Sequence, residues 1–256
     1  SWGLGNQASA WLTKVEPLTL AAMQQTVAGV GGGTTGRGGL GGIIVIAAGN
    51  DGDVIFDPGP TDGTSDNRTD YHGHKNSRYT INVAGVGNDG KRVIYSDIGS
   101  SLFISGFTGD EGTYGITTTD MGGSYSSTFN GTSAAAPVVS GVLALVLEAN
   151  PSLTWRDVQH VVVESARQTD VLNPSWAING AGHSFSDEYG FGVIDALSAV
   201  VTAQNWTNVG PEVALTAVAE IEDPIPIPDN GQASGSFVRS DVAIGQCINT
   251  ESVEIV

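Results

Sequence analysis

Two short segments hold residue types that could do chemistry together. The first is "FNGTSAAAP", Phe129 to Pro137, which runs directly into the apolar stretch "VVSGVLALVLEAN". Ser133 stands between a small Asn-Gly-Thr turn and a helix that is apolar almost all the way round. A helix N-terminus leaves backbone N–H groups unpaired and carries partial positive charge. A serine placed there can attack a carbonyl while nearby amides receive the oxyanion. Gly131 lets a ligand approach the backbone, Ala134 to Ala136 keep side chains out of the way, and Pro137 cannot donate to the Ser133 carbonyl. The same local pattern also suits an N-cap serine or threonine before a core helix. The Gly-x-Ser-x-Gly elbow of α/β-hydrolases is absent.

The second segment is "IIVIAAGN", Ile43 to Asn50. A short continuous apolar run marks a strand buried on both faces of a parallel sheet. The carboxyl ends of such strands are where open α/β sheets place ligands. There the Asn50 carboxamide can donate to a developing oxyanion, an interaction worth about 2.7–4 kcal/mol. Taken alone, Gly-Asn after a strand is a turn. Paired with Ser133 it supplies the second half of an acyl-transfer site.

The elements that must position these residues follow from periodicity. Leu18 to Val30 has apolar residues at helical spacing and is stopped by "GGGTTGRGGLGG". Tyr79 to Gly87 and Arg92 to Tyr95 read as strands, and Ala134 to Ala149 as a buried helix. Thr154 opens another helix, with Asp157 closing a Thr-x-x-Asp box and Val158, Val161 and Val162 on one face. "YGFGVIDALSAVVTAQNW" supplies a last helix ending near Asn205. Strands alternating with helices predict an α/β layered fold around a mostly parallel sheet. After Trp206 the composition shifts: "EDPIPIPDNGQASGS" is proline-rich and acidic, and "VALTAVAEI" and "INTESVEIV" alternate like half-exposed strands. Residues 1–206 and 207–256 therefore read as two domains, the second all-β.

Composition narrows the partners. Ten basic against 27 acidic residues give a net charge of −17, which argues against nucleic acid and anionic membrane surfaces. Cationic substrates or bound cations suit that field, and so does a plain solubility role. The single cysteine, Cys247, cannot close an internal disulfide. By apolar run length no segment reaches the roughly 18 residues of a membrane span.

The segments "SWG", "GRGGLGGIIVIAAGN", "NSRYTINV", "YSD", "NGTSAAAPVVSGVLALVLEANPSLTWRDVQHVVV" and "YGFGVIDALSAVVTAQNW" together resemble a subtilisin-like serine peptidase of the kexin/furin (proprotein convertase) branch. They run in family order over residues 1 to about 206, and the tail is similar to the opening strands of the P (homo B) β-sandwich of that branch. The resemblance implies a three-layer subtilisin-like fold and peptide-bond hydrolysis through an acyl-enzyme at Ser133, with Asn50 in the oxyanion hole. It implies that Ser1, Trp2 and Gly3 pair with the substrate backbone and that Ala47, Ala48 and Gly49 wall the pocket for the residue before the scissile bond. Asp97, in "YSD", falls where the family places a calcium-binding acid, so structural calcium is implied; Asp66 and Asp70 are weaker matches. Protein or peptide substrates, an N-terminal propeptide and a secreted or cell-surface location complete what the family implies.

The departures carry expectations too. The family order is Asp, His, Ser, and the first two precede the Ser-Trp-Gly strand with which this sequence opens. The chain therefore reads as an internal fragment, inactive and poorly folded alone. Four histidines are present. His72 and His74, in "YHGHKNS", suit a substrate loop, and His160 and His183 suit structural roles. Leu4, Gly5, Asn6 and Gln7 stand where furin-like enzymes carry carboxylates, and His72 replaces a pocket aspartate, so strict dibasic cleavage is not expected. The alternatives are a pseudoprotease that binds peptides and an adhesion module built on the β-sandwich.

Overall fold

The apolar run that leads to Asn50 forms strand β1 (Ile44–Ala47), with Val45, Ile46 and Ala47 buried. The computed structural model describes residues 14–28, 36–52, 68–110 and 114–210, among which an N-terminal helix, α1 (Pro17–Ala28), precedes this strand. Strand β1 pairs in parallel with β2 (Thr80–Val86), which is buried along its whole length. Strand β2 pairs in parallel with β3 (Ile104–Phe107), Val83 facing Ile104. Strand β3 escapes a sequence reading because "ISGF" is short and broken by serine and glycine. Arg92 to Tyr95, expected as a strand, contributes only an isolated bridge from Arg92 to Val86. Its backbone curls instead, and the Arg92 guanidinium donates to the carbonyls of Ile94 and Ser96.

An exposed antiparallel hairpin, β4 (Ile116–Thr119) and β5 (Tyr125–Phe129), delivers the chain to α2 (Thr132–Ala149). Val139, Leu143 and Val146 of α2 join Val45, Ile81, Val83 and Ile104 in one core. Burying each such side chain contributes about 1.5–3 kcal/mol. At 18 residues and mean hydropathy 1.6, α2 equals a membrane span in length and apolarity, contrary to the expectation from run length. Its packing against β1, β2, β3 and a later helix accounts for that apolarity.

Helix α3 (Trp155–Ser165) starts with the expected capping box between Thr154 and Asp157, and Val158, Val161 and Val162 are fully buried. A short antiparallel pair, β6 (Ala177–Ile178) and β7 (Ser184–Phe185), follows. Helix α4 (Ala196–Gln204) begins later than its apolar pattern suggests, at an Asp195 cap. Val193 bridges to Ser105 of β3, so the residues before Asp195 run along the sheet edge. The chain divides into two units, Ser1–Val209 and Gly210–Val256. Asp157 ties the end of the first unit to α3: its Oδ1 accepts from the Trp206 indole at 3.0 Å and the Val209 N–H at 2.7 Å. The expected β-sandwich segments beyond residue 210 lie outside the described residues.

Candidate active site

Ser133 is the second residue of α2 and is exposed between buried Thr132 and Ala134. It is not the cap. That position belongs to Gly131, at φ 85° and ψ 163°, with no side-chain capping bond. The positive φ favours glycine. Gly131 is gripped from both sides: its N–H donates to the Tyr95 hydroxyl at 2.9 Å, and its carbonyl accepts from Thr108 Oγ1 at 2.8 Å. The Tyr95 hydroxyl in turn donates to the Gly109 carbonyl. Ser133 is thus held at the helix mouth by a turn that its own hydroxyl does nothing to build.

The hydrogen bonds of the first turn show what is left for a ligand. The Thr132 N–H donates to Asn50 Oδ1 at 2.8 Å, and the Ala134 N–H donates to the Gly131 carbonyl at 2.9 Å. The Ser133 N–H between them has no partner among the described residues. Because a backbone N–H can only donate, the Asn50 atom facing Thr132 must be the carbonyl oxygen. Thr132 Oγ1 reinforces this, lying 2.9 Å from Oδ1 while accepting from the Gly49 N–H at 3.1 Å. The Asn50 Nδ2 donor is therefore turned away from Thr132. A β-carbon built on Gly131 would stand 3.4 Å from both Nδ2 and Oδ1 of Asn50 and 3.6 Å from the Ser133 nitrogen. Two uncommitted donors thus border one point beside the serine, at the positive end of an 18-residue helix. This arrangement can stabilise an oxyanion as a nucleophile adds to a carbonyl.

Sequence reasoning missed Thr132 and Tyr95. Both are buried polar residues whose function is to hold a neighbour, and only the Gly-Thr-Ser context hinted at the first. The remaining expected site residues are placed as follows. Ser1, Trp2 and Gly3 lie outside the described residues. Ala47 is buried in the main core, and Ala48 packs with Ala84 and Leu102. Gly49 and Asn50, at the strand end, are partly exposed.

Asp97, expected as a calcium ligand, is engaged within the chain. Its side chain is fully buried, with Oδ2 3.2 Å from the Lys75 ammonium and Oδ1 accepting from the Asp51 N–H at 2.9 Å. Among the described residues, no group of three or more His, Cys, Asp or Glu could hold a metal ion. A carboxylate already committed to a buried cation does not fit calcium. Asp70 is likewise engaged, by Arg68 at 2.9 Å and by the Ser100 hydroxyl and Ser101 N–H. Asp66 lies outside the described residues.

None of the four histidines is hydrogen-bonded to Ser133. The His72 ring is 3% exposed, and its Nδ1 is buried without a hydrogen-bond partner. Burial, helped by the charges of Lys75 and His74, lowers its pKa to about 4. Burial also lowers that of His74, whose ring lies 5.3 Å from the His72 ring. His160 stacks on Trp206 at 6.1 Å, and His183 Nε2 lies 3.7 Å from Glu164.

Comparison with known proteins relates the chain to a family. The profile of the subtilase family (peptidase S8) matches residues 1–192. Human furin is 38% identical over 182 residues, covering 71% of this chain and 22% of furin. Neuroendocrine convertase 2 of Drosophila melanogaster is 38% identical over 198 residues, covering 75% of this chain and 28% of the convertase. The chain thus spans about a quarter of the length of these relatives. Among solved structures, the serine protease of Aeromonas sobria superposes with a TM-score of 0.69 at 23% identity, over 82% of this chain and 43% of that one. A Pseudoalteromonas arctica protease reaches 0.51 at 27% identity, over 74% of this chain and 48% of that one. With the profile spanning residues 1–192 and the furin relationship beside it, this chain belongs to the subtilase family.

Proposed function

We propose that this chain carries the nucleophile and oxyanion hole of a secreted or cell-surface serine endopeptidase that cleaves protein or peptide substrates. The observation that carries the reading is the placement of an exposed serine hydroxyl beside two uncommitted donors, Asn50 Nδ2 and the Ser133 N–H. Ser133 Oγ attacks the scissile carbonyl carbon, and the carbonyl oxygen takes the negative charge between those donors. The hydroxyl proton must leave to a base. In subtilisin itself, loss of the catalytic histidine costs about a million-fold in kcat. Since none of the four histidines of this chain is hydrogen-bonded to Ser133, the 256 residues alone are expected to be inactive. In the family order the base and its orienting acid precede the Ser-Trp-Gly strand.

The substrate strand is assigned to Ser1, Trp2 and Gly3, and the pocket wall to Ala47, Ala48 and Gly49. Residues 207–256 are assigned to a P-type β-sandwich, and an N-terminal propeptide is a further expected partner. A net charge of −17 draws cationic peptides without requiring a dibasic cleavage site. The test is hydrolysis of peptide amides by the full-length protein and its Ser133→Ala variant. Activity should fall to background in the variant. Retained peptidase activity in Ser133→Ala would reject the reading.

A further inference from the structure

A buried cation lies beneath this site, and it belongs to the chain itself. Lys75 is one of only three lysines in 256 residues. Its side chain is 3% exposed and its ammonium lies 3.2 Å from Asp97, which is fully buried. A charge buried to this degree is retained only when it is paired. The pair lies directly under Gly49: a β-carbon there would stand 2.1 Å from Asp97 Oδ2 and 2.9 Å from Lys75 Nζ. Gly49 adopts φ 119°, which favours glycine. Asp97 then grips the segment that carries the oxyanion donor. Its Oδ1 accepts from the Asp51 N–H at 2.9 Å, and its own N–H donates to the Gly49 carbonyl at 3.2 Å. Asn50 lies between the two residues so held.

We propose that the Lys75 ammonium is a built-in cation that takes the place of calcium at Asp97. Through that carboxylate it fixes the Gly49–Gly52 turn and hence the direction of the Asn50 amide. Lys75 is a positioning residue, because it touches Asp97 and not the reacting atoms. An ammonium on a covalent tether cannot be chelated or diluted away, so the turn keeps its shape whatever the calcium level. The catalytic half of this inference rests on the peptidase reading above, whereas the electrostatic half does not.

The test uses the full-length protein and four variants: Lys75→Ala, Lys75→Met, Asp97→Asn and the double variant Lys75→Met/Asp97→Asn. Leaving one charge of a buried pair unpartnered should lower the Tm of Lys75→Met and Asp97→Asn by roughly 10 °C each. The double variant should be less destabilised than the sum of the two. Adding calcium should shift the Tm of wild type and Asp97→Asn by the same amount, since Asp97 is not a ligand. In Lys75→Ala, kcat should fall about 10- to 100-fold with KM little changed. Propylammonium should restore part of that kcat. Additive Tm losses, a calcium-dependent Tm shift that disappears in Asp97→Asn, or an unchanged kcat in Lys75→Ala would each overturn the proposal. If the full-length protein shows no peptidase activity, the Tm measurements still decide whether Lys75 takes the place of the ion.

Discussion

A buried hydroxyl and a backbone N–H of Thr132 together hold the orientation of Asn50, and Thr132→Val removes the hydroxyl while nearly keeping the side-chain volume. Thr132 is fully buried. Its Oγ1 has one proton to donate, either to Asn50 Oδ1 at 2.9 Å or to the Gly49 carbonyl at 3.2 Å, and accepts from the Gly49 N–H at 3.1 Å. Valine deletes the donated bond and strands the Gly49 N–H without an acceptor. Together these losses cost about 2–4 kcal/mol of stability, which corresponds to a Tm drop of roughly 5–15 °C. The catalytic loss is smaller than that of deleting the donor, because the Thr132 N–H still holds Oδ1 at 2.8 Å. Removing an oxyanion donor outright costs about 10²–10³ in kcat in subtilisin, so a loss of about 10- to 100-fold is expected here. The assay is steady-state hydrolysis of a peptide amide by the full-length enzyme, well below the variant's Tm. Thr132→Ser should behave nearly as wild type. Thr132→Val added to Asn50→Ala should cost little more than Asn50→Ala alone. A Thr132→Val enzyme with lowered Tm but unchanged kcat would refute the idea that this hydroxyl aims the amide.

Other perturbations have equally definite outcomes. The folded-state pKa of His72 is about 4, below its ordinary value of 6.5. Between those values the unfolded chain binds more protons, so stability falls as the pH drops from about 6.5 toward 4, by at most about 3 kcal/mol. Denaturant titrations of wild type and His72→Phe across that window should show the slope flatten in the variant. Asp157→Ala removes the α3 capping box and the acceptor for Trp206 and Val209. It should cost about 2–4 kcal/mol and shift Trp206 fluorescence, whereas an unchanged spectrum would mean that the indole is held by something else. Burial alone would raise the Asp157 pKa, yet hydrogen bonds from Thr154, Val209 and Trp206 hold it below the usual range. Its contribution is therefore present above the ordinary carboxylate pKa and is lost as pH falls through the lowered one, which low-pH denaturation of Asp157→Ala against wild type would expose as a smaller acid-induced loss.

Much of the scaffold was legible because a single local signal determined it. The continuous run of β1, the Thr154–Asp157 box and the three valines of α3 each depend on neighbours within a few residues, and the structure has them as expected. Strand β3 was not legible, since a glycine and a serine in four residues leave no pattern and the strand exists through pairing with β2. Ser133 and Asn50 were conspicuous as residue types, but a capping role could be set aside only once Gly131 was seen to occupy that position. The roles of Thr132, Tyr95 and Lys75 were hidden for a common reason. Each acts on a partner between 22 and 82 residues away, at a distance fixed by the fold rather than by spacing in the chain. Lys75 is the sharpest case, because the resemblance at Asp97 pointed to a metal ion while the cation came from another loop.

The most direct measurement is covalent labelling of the full-length protein with a fluorophosphonate, followed by mass spectrometry of the peptide containing residues 129–137. The expected result is a stoichiometric adduct on Ser133, absent in Ser133→Ala and formed about a hundredfold more slowly in Asn50→Ala. An adduct on another residue, or a labelling rate indifferent to Asn50, would contradict the shared site of serine and amide.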